Sequence, residues 1–144
     1  MPTPTSTQFA VAVHVLTYLA GVRDNRPVTS PELAGSVCTS PEYVRRVMIP
    51  LRTAGIVSST PGANGGWRLA QSAESITLAE IWHLTRGTEP SIAMHAPDPS
   101  CMTGRGVQTA LTDIEHDVAD AVTQRLQHWT IAALLERVAR QARP

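Results

Sequence analysis

Residues 29–69 read TSPELAGSVCTSPEYVRRVMIPLRTAGIVSSTPGANGGWRL, and the consecutive signals in that stretch decide the fold. Thr29 and Glu32 form a T-x-x-E capping box, which opens a short helix through Leu33, Ala34 and Val37. The turn Val37-Cys38-Thr39-Ser40 follows. Ser40 is then an N-cap, and Pro41 takes the first helical position, where its missing N–H is not needed. The helix so started carries Val44, Val47, Met48 and Leu51 at i, i+3, i+4 and i+7, an inward stripe. Pro50 is expected to kink or tighten its last turn and Gly55 to end it. Ile56 to Ser59 reads as a short strand, Thr60 to Gly66 as a glycine-rich turn, and Trp67-Arg68-Leu69 as the returning strand.

Upstream, helical spacing runs from Phe9 through Val13, Leu16 and Ala20 to a stop at Gly21, with Thr5 or Ser6 as the cap. A polar loop, Arg23 to Pro27, leads into the capping box. Downstream, Thr77-x-x-Glu80 is a second capping box, starting a helix through Ile81, Trp82 and Leu84 to Gly87. Glu89 to Ser100 holds three prolines and no helical period. A long helix comes next, with Val107, Leu111, Ile114, Val118, Val122, Leu126 and Trp129 along one side and Asp113, Glu115, Asp117, Asp120 and Arg125 on the other. Thr130 caps a last helix through Ile131, Leu134, Leu135 and Val138.

The fold expected is mainly α with a small β-hairpin wing: a winged helix-turn-helix domain plus a long C-terminal dimerisation helix. Residues 1–88 are assigned to the DNA-binding domain, 89–103 to an extended segment and sensor loop, and 104–144 to dimerisation helices. So long an apolar stripe exceeds what one small domain covers, which points to a homodimer.

Charge is informative mainly by its distribution. Twelve arginines balance twelve acidic residues, and lysine is absent. Zero net charge argues against a generic polyanion binder. Residues 1–88, however, carry seven arginines against five acidic residues, and 89–144 carry five against seven. The two cysteines, Cys38 and Cys101, are far apart and form neither a disulfide framework nor a zinc site. MPTPTSTQ has no basic leader, and the first apolar stretch is too short to span a bilayer. A cytoplasmic protein with no membrane partner is therefore expected.

On the proline-started helix, Ser40, Pro41, Glu42, Tyr43, Arg45, Arg46 and Arg52 lie at its head or off the inward stripe. There arginine can grip guanine edges or phosphates of duplex DNA. The turn adds Asn64, Gly65 and Gly66, and Arg68 just past it suits a phosphate or a minor-groove contact. A nucleotide-phosphate loop is disfavoured, since neither G-K-[ST] nor G-x-G-x-x-G is present. Trp67 is expected under the wing rather than on a base.

Three ordered stretches carry a resemblance. Pro50-Leu51-Arg52-x-Ala54-Gly55-Ile56-Val57, Gly62-x-x-Gly65-Gly66-Trp67-x-Leu69 and Ile76-Thr77-Leu78-x-Glu80-Ile81 together resemble the Rrf-two family of transcription regulators over roughly residues 5–140. The resemblance implies a recognition helix at Pro41 to Ala54, a wing at Thr60 to Arg68, a crossing dimerisation helix and a pseudo-palindromic operator. It makes Thr130-Ile131-x-x-Leu134-Leu135 the closing helix. Several members hold an iron–sulfur cluster through three cysteines in the loop before the long helix, but here that loop offers only Cys101. A cluster needs about four thiolate or substitute ligands, and His95 is the one evident supplement. No cofactor and no metal site are therefore expected, with a cluster shared between two chains through Cys101 and His95 as the open alternative. The spacing His95-x-Pro97-x-x-x-Cys101-x-x-Gly104 resembles a cluster-free branch.

Cys101, with His95, is the candidate redox or ligand sensor, and its bland alternative is a half-buried packing residue. A small-molecule effector is left open. Two other functions compete with a regulator that represses at its operator: a winged-helix protein-interaction module, and a small thiol enzyme using Cys101. The enzyme reading lacks a third orienting group, so no catalytic residue is assigned.

Overall fold

The computed structural model describes residues 6–87 and 89–143, in which six α-helices surround a core edged by one two-stranded antiparallel sheet. Helix α1 (Gln8–Gly21) buries Val11, Ala12, Val15, Leu16 and Leu19, all on one face. Its cap differs from expectation. Thr5 lies outside the described residues, Ser6 Oγ accepts the Gln8 N–H at 3.3 Å, and Thr7 takes the cap position without a side-chain bond. After a 3-10 turn (Arg23–Asn25), α2 (Ser30–Val37) starts with Thr29 Oγ1 accepting the Glu32 N–H at 3.2 Å. The reciprocal half of that capping box is not made. Glu32 turns instead to Arg26 Nη2 and to the Tyr18 hydroxyl, each at 2.8 Å. A guanidinium offers the carboxylate a stronger, charge-assisted bond than a backbone N–H.

Cys38, with φ 59°, makes the left-handed turn that swings the chain into α3 (Pro41–Thr53). Pro50 does not end α3, because the Ala54 N–H still reaches the Pro50 carbonyl at 3.0 Å. A Schellman pair closes the helix: Ile56 N–H to Leu51 O at 2.9 Å and Gly55 N–H to Arg52 O at 3.0 Å, with Gly55 at φ 76°. Strands β1 (Val57–Thr60) and β2 (Gly66–Leu69) pair in the register Val57↔Leu69 to Thr60↔Gly66. Val28 bridges β2 from its other side through Trp67.

Helix α4 (Leu78–Arg86) is capped by Thr77, α5 (Met102–Leu126) by Cys101, and α6 (Ile131–Gln141) by Thr130. Helix α6 returns to α1, Thr130 bridges Thr77, and Ile131 is fully buried among Leu16, Leu51, Ile76 and Ile81. Through Ile131, α6 therefore adds to the N-terminal core. The stripe on α5 also splits. Leu126 packs against its own chain's core, and Val118 and Val122 are half-buried. Val107 and Ile114 face outward, and no α5 residue is buried.

The segment 89–100 runs along α5. The Glu115 carboxylate accepts the N–H groups of Ser91 and Ile92 at 2.7 and 2.6 Å. Gly104 lies so close to Pro97 that a Cβ there would meet the proline ring at 2.8 Å.

Candidate nucleic-acid interface

Ser40 Oγ accepts the Tyr43 N–H at 3.2 Å, which fixes the first turn of α3 and the direction in which its exposed side points. Burial of Val44, Val47, Met48 and Leu51 leaves Glu42, Arg45, Arg46 and Ile49 outward. Arg45 Nη1 stands 3.7 Å from Glu42 Oε1, a loose surface pair that leaves the guanidinium available. Arg46 lies over the Tyr43 ring, 5.2 Å from its centroid. Tyr43 itself is half-buried, and its hydroxyl is 3.0 Å from Thr7 Oγ1. Off the inward stripe as expected, it braces α3 against the start of α1.

The wing is fixed by close backbone approach. A Cβ on Gly65 would fall 1.9 Å from the Thr60 carbonyl oxygen, and one on Gly66, at φ 149°, would fall 2.6 Å from that of Val28. Trp67 is buried beneath, its indole N–H donating to Ser30 Oγ at 2.9 Å. Asn64 is exposed at the tip, whereas Gly65 is buried. Arg68 is half-buried within β2, opposite Ser58, with a buried Nε that has no partner. It stands in the returning strand, past the tip. Arg52 leans to the wing, donating to Ser59 Oγ at 3.2 Å and lying over Trp67. A cleft of about 540 Å³ between α2, α3 and the wing is lined by Ser30, Arg45, Ser59 and Gly62 among others. Arg45 and the wing thus share one surface.

A second, larger groove of about 1020 Å³ lies on another face, between α1 and α6. Phe9, Val13, Leu134 and Val138 form its apolar walls, and Arg23 and Arg26 stand among its lining residues. Beside it, Arg26 and Tyr18 hold the Glu32 carboxyl below the usual carboxylate range, the guanidinium bond being the larger cause. The same carboxylate pushes the Tyr18 phenol up.

The sensor candidates do not form a pair. Cys101 is exposed and its sulfur caps α5, accepting the Gly104 N–H at 3.3 Å. His95 is exposed in the preceding segment, and among the described residues no hydrogen bond joins it to Cys101. Asp98, one turn earlier, accepts both the N–H and the hydroxyl of Ser100, which lowers its carboxyl. Ile49 was missed by the sequence reading. Its signal was available, since it is an apolar residue standing off the inward stripe.

The family pattern for Rrf2, described as an iron-dependent transcriptional regulator, matches residues 5–137. This chain belongs to the Rrf2 family. It is 30% identical over 122 residues to the HTH-type transcriptional regulator YwnA of Bacillus subtilis, spanning 84% of this chain and 89% of that one. It is also 30% identical over 126 residues to the HTH-type transcriptional regulator IscR of Cereibacter sphaeroides, spanning 88% of this chain and 74% of IscR. The crystal structure of a transcriptional regulator from Lactobacillus plantarum superposes with a TM-score of 0.78 at 26% identity, covering 92% of this chain and 90% of that one. This Rrf2 protein is accordingly a winged-helix transcriptional regulator whose relatives are regulators, not enzymes. Among its described residues no helix is long and apolar enough to cross a membrane.

The donor set of one Rrf2 chain here does not fit an iron–sulfur cluster. Cys101 is the single thiol near α5, Cys38 sits in the helix-turn-helix turn, and Cys101 already caps a helix. Among the described residues no three His, Cys, Asp or Glu side chains are grouped to hold a metal ion.

Proposed function

We propose that the protein binds a pseudo-palindromic DNA operator as a homodimer in the cytoplasm and represses by occupying it. One observation carries this reading: the outward side of α3, with Arg45 and Arg46, is continuous across a cleft with a glycine-built wing. Helix and ribbon then meet adjacent parts of one duplex. In this arrangement Ser40, Pro41, Glu42 and Arg46 enter the major groove. Arg45 serves groove or backbone, and Asn64, Gly65 and Gly66 lie along phosphates. Arg52 and Arg68 stiffen the wing and add positive charge behind it.

Two features support the dimer. Helix α5 spans 25 residues without burying one, and Val107 and Ile114 are exposed. The α1–α6 groove, with its apolar walls Phe9, Val13, Leu134 and Val138, offers a seat for the exposed apolar side chains of a second copy. A second copy satisfies both surfaces, and two-fold symmetry matches a palindromic site. The regulator works without a cluster, so protein purified without oxygen should show no visible absorption. A redox signal or small ligand would reach α5 through exposed Cys101, the residue that caps it.

The test is selection of duplexes from a random pool, followed by titration at fixed salt. Arg45→Ala and Arg46→Ala should each weaken the selected operator about tenfold or more, with melting temperature and dimerisation unchanged. Unchanged affinity in both variants would remove α3 as the reading helix.

A further inference from the structure

Ile49 is half exposed, although it lies in the middle of α3. Seven residues make nearly two helical turns, so Ile49 lies almost directly below Glu42 on the outward side. Arg45 flanks that line toward the wing, and Arg46 flanks it on the other side. Among the described residues it is the one large apolar side chain of α3 that is exposed. The whole buried stripe, Val44 to Leu51, faces the opposite way.

We propose that Ile49 is a specificity-determining residue that packs on the C5-methyl of a thymine in the operator's major groove. This rests on the DNA-binding reading above and deepens it. Base edges in that groove are hydrogen-bonding atoms apart from the thymine methyl, the apolar feature that unmodified DNA offers there. A β-branched side chain is already stiff about its first torsion and loses little freedom on contact. A protein-binding patch would need apolar neighbours. Ile49 has arginines on the adjacent turns, Arg45, Arg46 and Arg52, which suit a polar groove with one methyl in it. Glu42 and Ile49, on one line about 10 Å apart along the axis, would meet base pairs about three steps apart.

The experiment uses the selected operator with each thymine replaced singly by deoxyuridine, which removes only the methyl, and compares wild type with Ile49→Ala by anisotropy. At one symmetry-related pair of thymines the replacement should weaken wild type about fourfold, the weight of one buried methyl. Ile49→Ala should bind thymine and deoxyuridine operators alike, while Arg46→Ala keeps the methyl effect. Because Ile49 is exposed, its variant should melt as wild type does. A wild type indifferent to every methyl, or a methyl effect that persists in Ile49→Ala, overturns the assignment and leaves DNA binding standing. Enrichment of no duplex at all overturns both readings together.

Discussion

Glu32 joins three pieces of chain through one carboxylate. Its N–H is capped by Thr29, while its oxygens accept from Arg26 and Tyr18. Both partners favour the ionised form, so the carboxyl titrates lower in the folded protein than in the unfolded chain. A depressed carboxyl contributes stability that is present above its unfolded value and lost as pH falls through its folded one. Glu32→Gln should therefore lower the melting temperature at neutral pH, and the gap from wild type should close below about pH 4. The effect should be small, because the pair is open to solvent and screened by salt. A gap independent of pH would mean that the ion pair contributes nothing beyond packing. Trp67, in the returning strand of the wing, similarly spends its polar atom on Ser30 and its ring on burial.

Among the elements, the wing depends most on individual backbone positions. Its turn brings Gly65 against the Thr60 carbonyl so closely that any Cβ must move the chain. Gly65→Ala should cost about 1–3 kcal/mol through the overlap of its Cβ with the Thr60 carbonyl, confined to the turn. Operator affinity should fall while the far-ultraviolet spectrum stays helical. Retained affinity would show that the ribbon does not touch the duplex. Helix α3 is more tolerant, because its two ends are held by separate devices: Ser40 at the head and the Gly55 Schellman pair at the tail. Pro50 sits in that helix without ending it: it forfeits its N–H bond and crowds the carbonyl four residues back, but the tail bonds lie beyond it.

For the whole molecule, two isoleucines on the C-terminal helices should behave in opposite ways. Ile131 is fully buried in the shared core, so Ile131→Ala should cost about 2–5 kcal/mol of stability. Ile114 is exposed on α5, so Ile114→Glu should leave each subunit folded and shift the dimer to monomer in sedimentation. Operator binding should weaken with it, since one half-site loses its partner. A folded Ile114→Glu dimer of wild-type affinity would place the interface elsewhere on the surface.

Local chemistry determined most of the elements. Ser40-Pro41, Gly55 and the Thr77 and Thr130 caps act within one turn of the chain, and the helices and hairpin stand where those residues put them. The outward position of Arg45 and Arg46 was equally legible, because helical period alone opposes them to Val44, Val47 and Leu51. Three things waited for the tertiary structure. The α6 helix returns to the N-terminal core, Tyr43 is tied to Thr7, and Glu32 leaves its capping box for Arg26. Each depends on residues distant in the chain or on partners competing for one group. Spacing along a sequence fixes which side of a helix a residue occupies; it does not fix what that side meets.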